Sequence, residues 1–249
     1  MNSFIESIYK SRRVTGRSGK EHELHSEIDP AEGNFIEKVI SKNPAISKTL
    51  EIGCAYGMSS LHICHAINSR PDAYHIMLDP FQYTMWDGVG IKNLEDSGIH
   101  FFKLIETKSE FALPQLLQVE EAKFDLIFVD GWHTLDHTLL DCFYATRLLK
   151  IGGFLILDDV AQDAVGRVVD YLSFYPCYEV YERVISSVAV SLKRRMVGGV
   201  LSVIPDAIKT RLFHPTLVRE VGQKFRTGMI ALKKVSQDER TWDWFPPDF

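Results

Sequence analysis

The sequence predicts an α/β fold in which a doubly wound, mostly parallel sheet carries helices on both faces. Short apolar runs alternate with amphipathic segments between residues 48 and 174, which is the pattern of successive strand and helix units. The run Phe154-Leu155-Ile156-Leu157 is wholly apolar, as expected of a strand that is covered on both faces.

The elements follow one another along the chain. Mainly apolar runs predict strands at 48–53, 74–79, 100–105, 124–129 and 154–157. Helical spacing predicts helices at 31–41, 57–68, 89–97, 109–118, 135–149 and 161–174, of which Gly98 and the pair Gly152-Gly153 end two. Ligands of such a sheet gather at the carboxyl ends of its strands. Because no internal repeat is present, we predict a single domain, 1–249.

Composition narrows the possible classes of protein. The chain has 249 residues, of which 45% are hydrophobic and 24% charged, as in ordinary globular proteins. A net charge of −5 gives no reason to expect nucleic acid as substrate. The absence of a long apolar run or an N-terminal signal pattern, and four scattered cysteines without a Cys-x-x-Cys pair, lead us to expect a cytoplasmic protein with reduced thiols.

The turn after the first predicted strand of the sheet is the most informative stretch. The segment Glu51-x-Gly53-x-Ala55-x-Gly57 joins this strand to a helix, at the position where α/β sheets hold nucleotide-like cofactors. Asp79 follows Gly57 by 22 residues, a spacing that suits a carboxylate bound to ribose hydroxyls. The turn lacks the Gly-x-Gly-x-x-Gly form, and Glu51 would repel phosphate. We therefore expect a cofactor with a ribose and a cationic part but no phosphate.

Acidic residues lie at or near the ends of several predicted strands. Asp130 and the pair Asp158-Asp159 should meet at the same edge of the sheet as Glu51 and Asp79. A divalent ion with oxygen ligands would offset the repulsion around Asp130, Asp158 and Asp159. Successive strand residues point to opposite faces, so the strand must end at Asp158 for both to reach one ion. An equal alternative is that Asp159 caps the next helix and Asp158 is an exposed strand end.

Two segments resemble a known family. The Glu51-x-Gly53-x-Ala55-x-Gly57 segment resembles the first motif of class I S-adenosylmethionine-dependent methyltransferases, which have a Rossmann-like fold. The segments 128–133 and 155–160, each with its acids after a strand, resemble the cation-dependent O-methyltransferases of the catechol and macrolide-sugar types. The likeness extends from about residue 36 to residue 184. It implies S-adenosylmethionine as cofactor and Mg²⁺ held by Asp130, Asp158 and Asp159.

The resemblance also implies roles for single residues. Ser109 and Glu110 match a pair that contacts the adenine, and Trp132 matches an aromatic residue that flanks it. Ser59 matches a residue that holds the methionine carboxylate. Glu51, Gly53, Gly57, Asp79 and Asp130 complete the expected cofactor contacts. This chain departs from the catechol-type enzymes at two places. It has His133 where they use a lysine as base, and it has Asp158-Asp159 where they have an Asp-Asn pair. The second departure is compatible with Mg²⁺, as in the sugar-type members.

The chemistry of methyl transfer gives these residues their expected functions. A hydroxyl attacks the sulfonium methyl group best when it is deprotonated, and a bound Mg²⁺ lowers its pKa and orients it. His133, three residues after Asp130, is the candidate base, and both residues are assigned to catalysis. His133 could instead only hydrogen-bond its loop, with His137 as the reserve candidate. His22 and His25 reach the substrate only if their segment folds over the site.

Two flanking regions are expected to decide the substrate. In the resembling families a segment such as 1–44 folds over the cofactor as a lid. Region 191–226 contains eight Lys and Arg against two acidic residues, and we expect it to be a basic insertion between the last two strands. Its two interpretations are a solvated helical excursion and a surface for an anionic partner, such as a phosphorylated sugar, an acyl carrier or a lipid headgroup. A homo-oligomer is compatible with the sequence.

The sequence thus predicts an S-adenosylmethionine- and Mg²⁺-dependent O-methyltransferase that acts on a hydroxyl of a small molecule, such as a sugar or secondary metabolite. Two alternatives stay open. One is a metal-independent N- or O-methyltransferase in which Asp158 and Asp159 only orient the substrate. The other is a non-catalytic module that binds S-adenosylmethionine, and an NAD-dependent oxidoreductase is a more distant possibility.

Overall fold

Helices and strands alternate along the chain in a computed structural model that describes residues 2–25, 27–119, 123–189 and 225–246. In chain order the elements are α1 (Ser3–Ser11), β1 (Arg13–Thr15), β2 (Glu21–Glu23), α2 (Pro30–Lys42), β3 (Lys48–Ile52), α3 (Met58–Ile67), β4 (Tyr74–Leu78), α4 (Val89–Asp96), β5 (Phe102–Ile105), α5 (Ser109–Leu117), β6 (Phe124–Val129), α6 (Leu135–Leu148), β7 (Leu149–Leu157), α7 (Asp163–Leu172), β8 (Tyr178–Ala189) and β9 (Phe225–Lys234).

The larger sheet of the described residues has seven strands in the order β5-β4-β3-β6-β7-β9-β8. Strands β3 to β7 pair in parallel, and β9 is antiparallel to both β7 and β8. The chain runs outward from β3 to β5 and then returns to β6 on the other side of β3. A topological switch point therefore lies between β3 and β6, which is where such sheets bind ligands. The predicted fold class is confirmed.

Helices cover both faces of this sheet. Leu126 and Phe128 of β6 pack in an apolar cluster with residues of α1 to α4, whereas Ile127 and Val129 pack with residues of α5 to α7. This alternation follows from strand geometry, in which successive side chains point to opposite faces. Because both faces are buried, the ends of the strands are the part of the sheet that is open to a ligand.

The predicted starts of β7 and α7 differ from those in the structure. Strand β7 begins at Leu149, directly after α6, so Gly152 and Gly153 lie inside the strand instead of ending the helix. The register of β6 and β7 shifts in this region, and Gly152 has φ +85°. The glycines therefore allow an irregular stretch within the strand, whereas the sequence pattern predicted that they end the preceding helix. Helix α7 begins at Asp163, two residues later than predicted, with Gln162 as its N-cap.

The N-terminal segment carries structure that the sequence pattern did not indicate. Helix α1 leads into the antiparallel hairpin of β1 and β2. Helix α2, which was predicted, begins with a capping box in which Asp29 accepts hydrogen bonds from the N–H groups of Ala31 and Glu32, and the Glu32 carboxylate accepts one from the Asp29 N–H. This box fixes the side chain of Glu32 at the start of the helix.

The expectations about the cysteines, about membrane-spanning helices and about the basic insertion are taken in turn. The four cysteines are buried and free, as predicted. Within the described part of the chain, no helix is long and apolar enough to cross a membrane. Most of the predicted basic insertion, residues 191–224, lies outside the described residues.

Candidate cofactor and metal site

One cavity of about 850 Å³ opens at the carboxyl ends of β3, β4, β6 and β7. Its walls come from the loops that follow these strands, from the start of α5, and from the N-terminal segment around Ile28. The lining residues are Glu27, Ile28, Glu32, Ile52, Gly53, Cys54, Ala55, Tyr56, Met58, Ser59, Leu78, Asp79, Pro80, Phe81, Met85, Trp86, Lys108, Ser109, Glu110, Asp130, Gly131, Trp132, His133, His137, Asp158, Asp159 and Gln162.

The glycine loop after β3 forms one wall of the cavity. Gly53 has φ +84°, and a Cβ at this position would lie 2.1 Å from the carbonyl oxygen of Asp130. Gly57, with φ +76°, does not line the cavity, and its Cβ would lie 2.8 Å from the Cα of Gly90. The two glycines are therefore required by close backbone packing as well as by the left-handed conformation.

The predicted ribose acid, Asp79, is buried and lines the cavity next to this loop. Its Oδ2 accepts a hydrogen bond from the N–H of Ala55 at 2.9 Å, and its Oδ1 accepts one from the N–H of Phe81 at 2.8 Å. Each carboxylate oxygen can accept a second hydrogen bond. Oδ2 also accepts hydrogen bonds from the N–H of Cys54 and the side-chain amide of Gln82, each at 3.3 Å. Asp79 thus fixes the glycine loop through Oδ2, and Oδ1 retains acceptor capacity toward the cavity.

Glu51 occupies a different place from the other predicted cofactor residues. Its side chain is fully buried and is not part of the cavity wall. The carboxylate accepts hydrogen bonds from the hydroxyls of Ser59 and Ser60. Ser59 itself lines the cavity, so Glu51 acts on the cavity through the Ser59 side chain.

The predicted adenine contacts line another part of the cavity. Ser109 and Glu110 form the first turn of α5, and Trp132 lies across from Phe81, with 6.5 Å between ring centroids. Trp132 remains 60% exposed, so much of its ring surface is available to contact a flat ligand. The buried Asp141 of α6 hydrogen-bonds Ser109, and burial raises the pKa of Asp141 to about 6.

Acidic groups converge in the remaining part of the cavity. The Nε2 atom of His133 lies 3.3 Å from Oδ1 of Asp130 and 3.2 Å from Oδ2 of Asp159. One donor atom from each of these three residues lies within 4.8 Å of the others. The Nδ1 atom of His133 is 3.1 Å from the side-chain nitrogen of Gln162, which holds the ring from its other edge.

Asp158 is close to this group without belonging to it. Strand β7 ends at Leu157, and Asp159 has φ +53°, so the chain turns sharply and the two acids are not held in alternating strand positions. The carboxylate of Asp158 accepts the N–H of Asp159 at 2.7 Å. The alternative that Asp159 caps the next helix is wrong, because Gln162 is the N-cap of α7.

The crowding of carboxylates shifts their pKa values upward. Desolvation in the cavity raises the pKa of Asp130 to about 6; Asp159 adds to the rise, and the hydrogen bond from His133 opposes it. Burial also raises the pKa of Asp158 well above its ordinary value, with Asp130 and Glu32 adding to the effect. The pKa of His133 is raised by its hydrogen bond to Asp130. These shifts indicate that a cation would be stabilised here.

Sequence reasoning missed two acidic residues of the cavity, Glu27 and Glu32. The pKa of Glu32 is raised to about 7, chiefly by burial, and the charges of Asp29, Asp159 and Asp130 contribute to this rise. The spacing of Asp29 and Glu32 signals a capping box, which accounts for Glu32 without reference to a cavity. Only the path of the N-terminal segment over the sheet brings this residue to the site.

The remaining candidate histidines occupy different positions. His137 lines the cavity beside Trp132, with ring centroids 6.3 Å apart. His25 contacts Tyr56, a cavity residue, at 2.9 Å. His22 lies 3.1 Å from Asp87 in the hairpin contact and is not part of the cavity wall.

Comparisons with known proteins agree with this geometry. Residues 50–160 match the model of a methyltransferase domain family, and no curated protein sequence matches the chain. The fold is similar to an O-methyltransferase from Bacillus cereus in complex with SAH, at 14% identity and TM-score 0.64, covering 94% of this chain and 92% of that one. It is also similar to the O-methyltransferase TomG from Streptomyces achromogenes in complex with SAM, at 16% identity and TM-score 0.62, covering 94% and 91%.

A third similar structure is a putative caffeoyl-CoA O-methyltransferase from Staphylococcus aureus, at 19% identity and TM-score 0.57, covering 75% of this chain and 88% of that one. At these identities the structural likeness establishes the fold. The domain match and the fold together confirm the resemblance to class I methyltransferases, and they indicate that the protein is an enzyme of the methyltransferase class.

Proposed function

We propose that the protein transfers the methyl group of S-adenosylmethionine to a hydroxyl of a small molecule, with the help of Mg²⁺. The observation that carries this proposal is a single cavity that contains the glycine loop and Asp79 together with the group of Asp130, His133 and Asp159. Its volume of about 850 Å³ falls within the range of roughly 300–1,000 Å³ that is typical of small-molecule sites.

The charge of the cavity supports a cationic cofactor. Seven carboxylates line the cavity, against the one lysine among the lining residues, Lys108. Such a wall attracts a sulfonium and an ammonium and repels phosphate groups. Asp79 would bind the ribose, Ser109 and Glu110 would contact the adenine, and Trp132 would cover it. S-adenosylmethionine supplies a methyl group on a sulfonium, which leaves as the neutral thioether of S-adenosylhomocysteine.

The donor atoms also fit a divalent cation. Asp130 and Asp159 provide carboxylate oxygens, which Mg²⁺ prefers, and Asp158 adds a third carboxylate at the same strand end. The nitrogen of His133 suits Mg²⁺ less well, so we assign the cation to the three aspartates and leave the imidazole free for proton transfer. When bound, Mg²⁺ would lower the pKa of the acceptor hydroxyl and fix its position.

The protein's own residues then perform three tasks. The imidazole of His133 takes the hydroxyl proton while the acceptor oxygen bonds to the methyl carbon and the carbon–sulfur bond breaks. For Nε2 of His133 to act as the base, Nδ1 must carry the ring's hydrogen, and the side-chain amide of Gln162 would accept it through its oxygen after exchange of its oxygen and nitrogen positions. The N-terminal wall at Glu27, Ile28 and Glu32 limits access of water and shapes the space for the acceptor.

A labelled methyl donor tests the proposal directly. S-adenosylmethionine with an isotopically labelled methyl group is incubated with the enzyme and a metabolite extract, with Mg²⁺ or with a chelator, and labelled products are detected by mass spectrometry. We expect a labelled hydroxyl product that disappears after chelation. Replacement of His133 by Ala should lower the rate by about 10²–10⁴-fold, and His137→Ala, which alters a cavity histidine on α6, serves as the control.

Each alternative has its own outcome. Methyl transfer that survives complete removal of divalent ions would support a metal-independent N- or O-methyltransferase. Binding of S-adenosylhomocysteine without transfer to any acceptor would support a non-catalytic module. A rate that falls with His137→Ala and not with His133→Ala would move the role of base to His137. Calorimetry with S-adenosylhomocysteine and with NAD separates the transferase from an oxidoreductase.

A further inference from the structure

The N-terminal wall of the cavity is attached to three helices through one polar contact. The hydroxyl of Tyr9, on α1, donates a hydrogen bond to the carbonyl oxygen of Ile28 at 3.0 Å, and Ile28 lines the cavity. The same hydroxyl lies 3.3 Å from Nε2 of His62, on α3. The Nδ1 atom of His62 lies 2.7 Å from a carboxylate oxygen of Glu37, on α2.

The packing around His62 leaves its imidazole little freedom to turn. The side chain is fully buried, and a Cβ on Gly33 would lie 2.2 Å from its Nε2, so α2 passes the ring at a distance that only glycine allows. Both ring nitrogens therefore keep their partners. A change in the protonation of the ring must be accommodated by the hydrogens of Tyr9 and Glu37.

When His62 is neutral, its contacts are one hydrogen short. The carboxylate of Glu37 accepts the ring hydrogen from Nδ1, so Nε2 has only a lone pair. The hydroxyl of Tyr9 has one hydrogen, and two acceptors lie within its reach, Nε2 of His62 and the carbonyl oxygen of Ile28. The two acceptors compete for this hydrogen, which weakens the hydrogen bond to Ile28.

A second proton on His62 removes this competition. Nε2 then carries a hydrogen and donates it to the oxygen of Tyr9, whose own hydrogen is left entirely to the carbonyl oxygen of Ile28. The imidazolium is also paired with the carboxylate of Glu37 through Nδ1. Every donor in the series of contacts has an acceptor, and a hydrogen bond from a charged donor is stronger than a neutral one.

We propose that Tyr9 and His62 form a proton-dependent latch on the cavity, in which protonation of His62 commits the hydroxyl hydrogen of Tyr9 to Ile28 and holds the N-terminal wall more firmly closed. Tyr9 and His62 are positioning residues in this proposal, because neither lines the cavity. Acidification should therefore slow the opening of the wall.

The surrounding charges set the pH range in which the latch operates. Burial lowers the pKa of His62 below its ordinary value of 6.5; Glu37 opposes the shift, and the positive charges of the amino terminus and His65 add to it. His62 is therefore mainly neutral at neutral pH and gains its second proton in mild acid. Tyr9 stays protonated throughout, because its pKa is raised by burial and by the carboxylates of Asp29, Glu27, Glu32 and Glu37.

Hydrogen exchange tests the latch without any ligand. Nitrogen and carbon chemical shifts of His62, assigned through the signals lost in His62→Gln, give the midpoint of its titration. Exchange of the backbone amides of residues 27–33 is then followed by mass spectrometry one pH unit above and one below this midpoint, and corrected for intrinsic exchange rates. We expect the protection of these amides in the wild type to be about two- to tenfold higher on the acid side.

Three variants separate the latch from other groups that titrate in the cavity. Tyr9→Phe retains every cavity acid and should lose the additional protection in acid. His62→Gln, whose amide can donate to Glu37 and accept from Tyr9 at any pH, should lose it as well. Tyr181→Phe is the control, because it removes a tyrosine hydroxyl that accepts a hydrogen bond from Asn43 at the other end of α2, and it should retain the wild-type response.

Release of S-adenosylhomocysteine provides a second test, and in this test alone the inference rests on the proposed function. The dissociation rate is measured by displacement at the same two pH values. We expect acidification to slow release from the wild type by about two- to tenfold more than from Tyr9→Phe. The same pH response in both proteins would show that the contact does not govern opening of the cavity, and the inference would fail.

Two ligand-free results would also overturn the inference. One is a His62 that stays neutral over the whole pH range in which the protein is folded. The other is a loss of protection in Tyr9→Phe by the same factor at both pH values, since the hydroxyl would then have a purely structural role. If the wild type does not bind S-adenosylhomocysteine, the proposed function fails, whereas the exchange measurements still decide the latch.

Discussion

At the scale of single residues, Gly53 shows how one missing side chain permits the site. Alanine at a positive φ costs about 1–2 kcal/mol, and at Gly53 its Cβ would also meet the backbone oxygen of Asp130 at 2.1 Å. We therefore expect Gly53→Ala to be destabilised by more than about 3 kcal/mol, measured by urea unfolding, and to lose affinity for S-adenosylhomocysteine.

Gly19 offers a matched control for this prediction. It has φ +82° with nothing within 4 Å of its would-be Cβ, so Gly19→Ala experiences only the conformational cost. If the two variants unfold at the same urea concentration, the close contact with Asp130 is not the reason that position 53 requires glycine.

Asp141 leads to a prediction about pH. Burial raises its pKa in the folded protein from 3.8 to about 6, so the folded state holds this proton in a pH range where the unfolded state has lost it. Below about pH 4, Asp141 is protonated in both states and does not change the free energy of unfolding. As the pH rises toward about 6, its ionisation lowers the free energy of unfolding progressively. We expect Asp141→Asn to be more stable than the wild type by about 1–3 kcal/mol at pH 7.5 and by much less at pH 4.

Urea unfolding at the two pH values measures this difference. The control is Asp136→Asn, on the same helix, where hydrogen bonding to Thr134 lowers the pKa of the carboxyl, so no gain is expected. A gain from Asp141→Asn that is independent of pH would contradict the assigned cause.

At the scale of elements, the hairpin of β1 and β2 is attached to one distant loop. Asp87 accepts hydrogen bonds from the N–H of Ser18 at 3.2 Å and from His22 at 3.1 Å, and its carbonyl oxygen accepts the N–H of Arg17 at 2.7 Å. The preceding residue, Trp86, lines the cavity. The hairpin and the cavity wall are thus held by the same loop.

Removal of this contact should loosen the hairpin. We expect Asp87→Ala to make the basic residues of the hairpin cleavable by trypsin, at Arg13, Arg17 and Lys20, and to weaken binding of S-adenosylhomocysteine several-fold. The comparison is Asp96→Ala, which removes a surface ion pair with Lys92. Unchanged proteolysis in Asp87→Ala would mean that the hairpin is held by other contacts.

The same hairpin shows where sequence reasoning reached its limit. Strands β3 to β6 were predicted within two residues because their apolar runs are themselves the signal for burial. The strands β1 and β2 are three residues long and mostly polar, and contacts with a residue more than 60 positions away hold them in place. No local pattern encodes such contacts. For the same reason Glu32 was missed, although its helix α2 was predicted.

At the scale of the whole molecule, the topology made the acidic part of the cavity predictable in outline. Parallel strands end at one edge, so Asp130 and Asp159 were expected to meet, and their donor atoms do lie within 4.8 Å of that of His133. The exact members were beyond the sequence, because the left-handed turn at Asp159 decides which of two neighbouring acids faces His133.

The convergence of carboxylates implies that repulsion within the site lowers the free energy of unfolding. Asp130 and Asp158 directly follow β6 and β7, and Glu32 belongs to α2. The charge of Asp130 raises the pKa of both Glu32 and Asp158, and the charge of Glu32 raises that of Asp158. Without a cation their mutual repulsion remains uncompensated, so replacing one acid by its amide should stabilise the metal-free protein while it impairs the site. We expect Asp158→Asn to raise the unfolding temperature by about 2–8 °C in the presence of a chelator, equivalent to about 1–2 kcal/mol.

Addition of Mg²⁺ should then reverse the order of the two proteins. The wild type gains stability because the cation binds only the folded state, whereas Asp158→Asn, with one charged ligand fewer, gains less. Thermal unfolding with chelator and with millimolar Mg²⁺ measures both effects, and Asp163→Asn, in the first turn of α7 but not in the cavity wall, is the control. A wild type whose unfolding temperature is the same in both conditions would argue that the acidic group holds no cation, and that its charge acts on the cofactor or the acceptor instead.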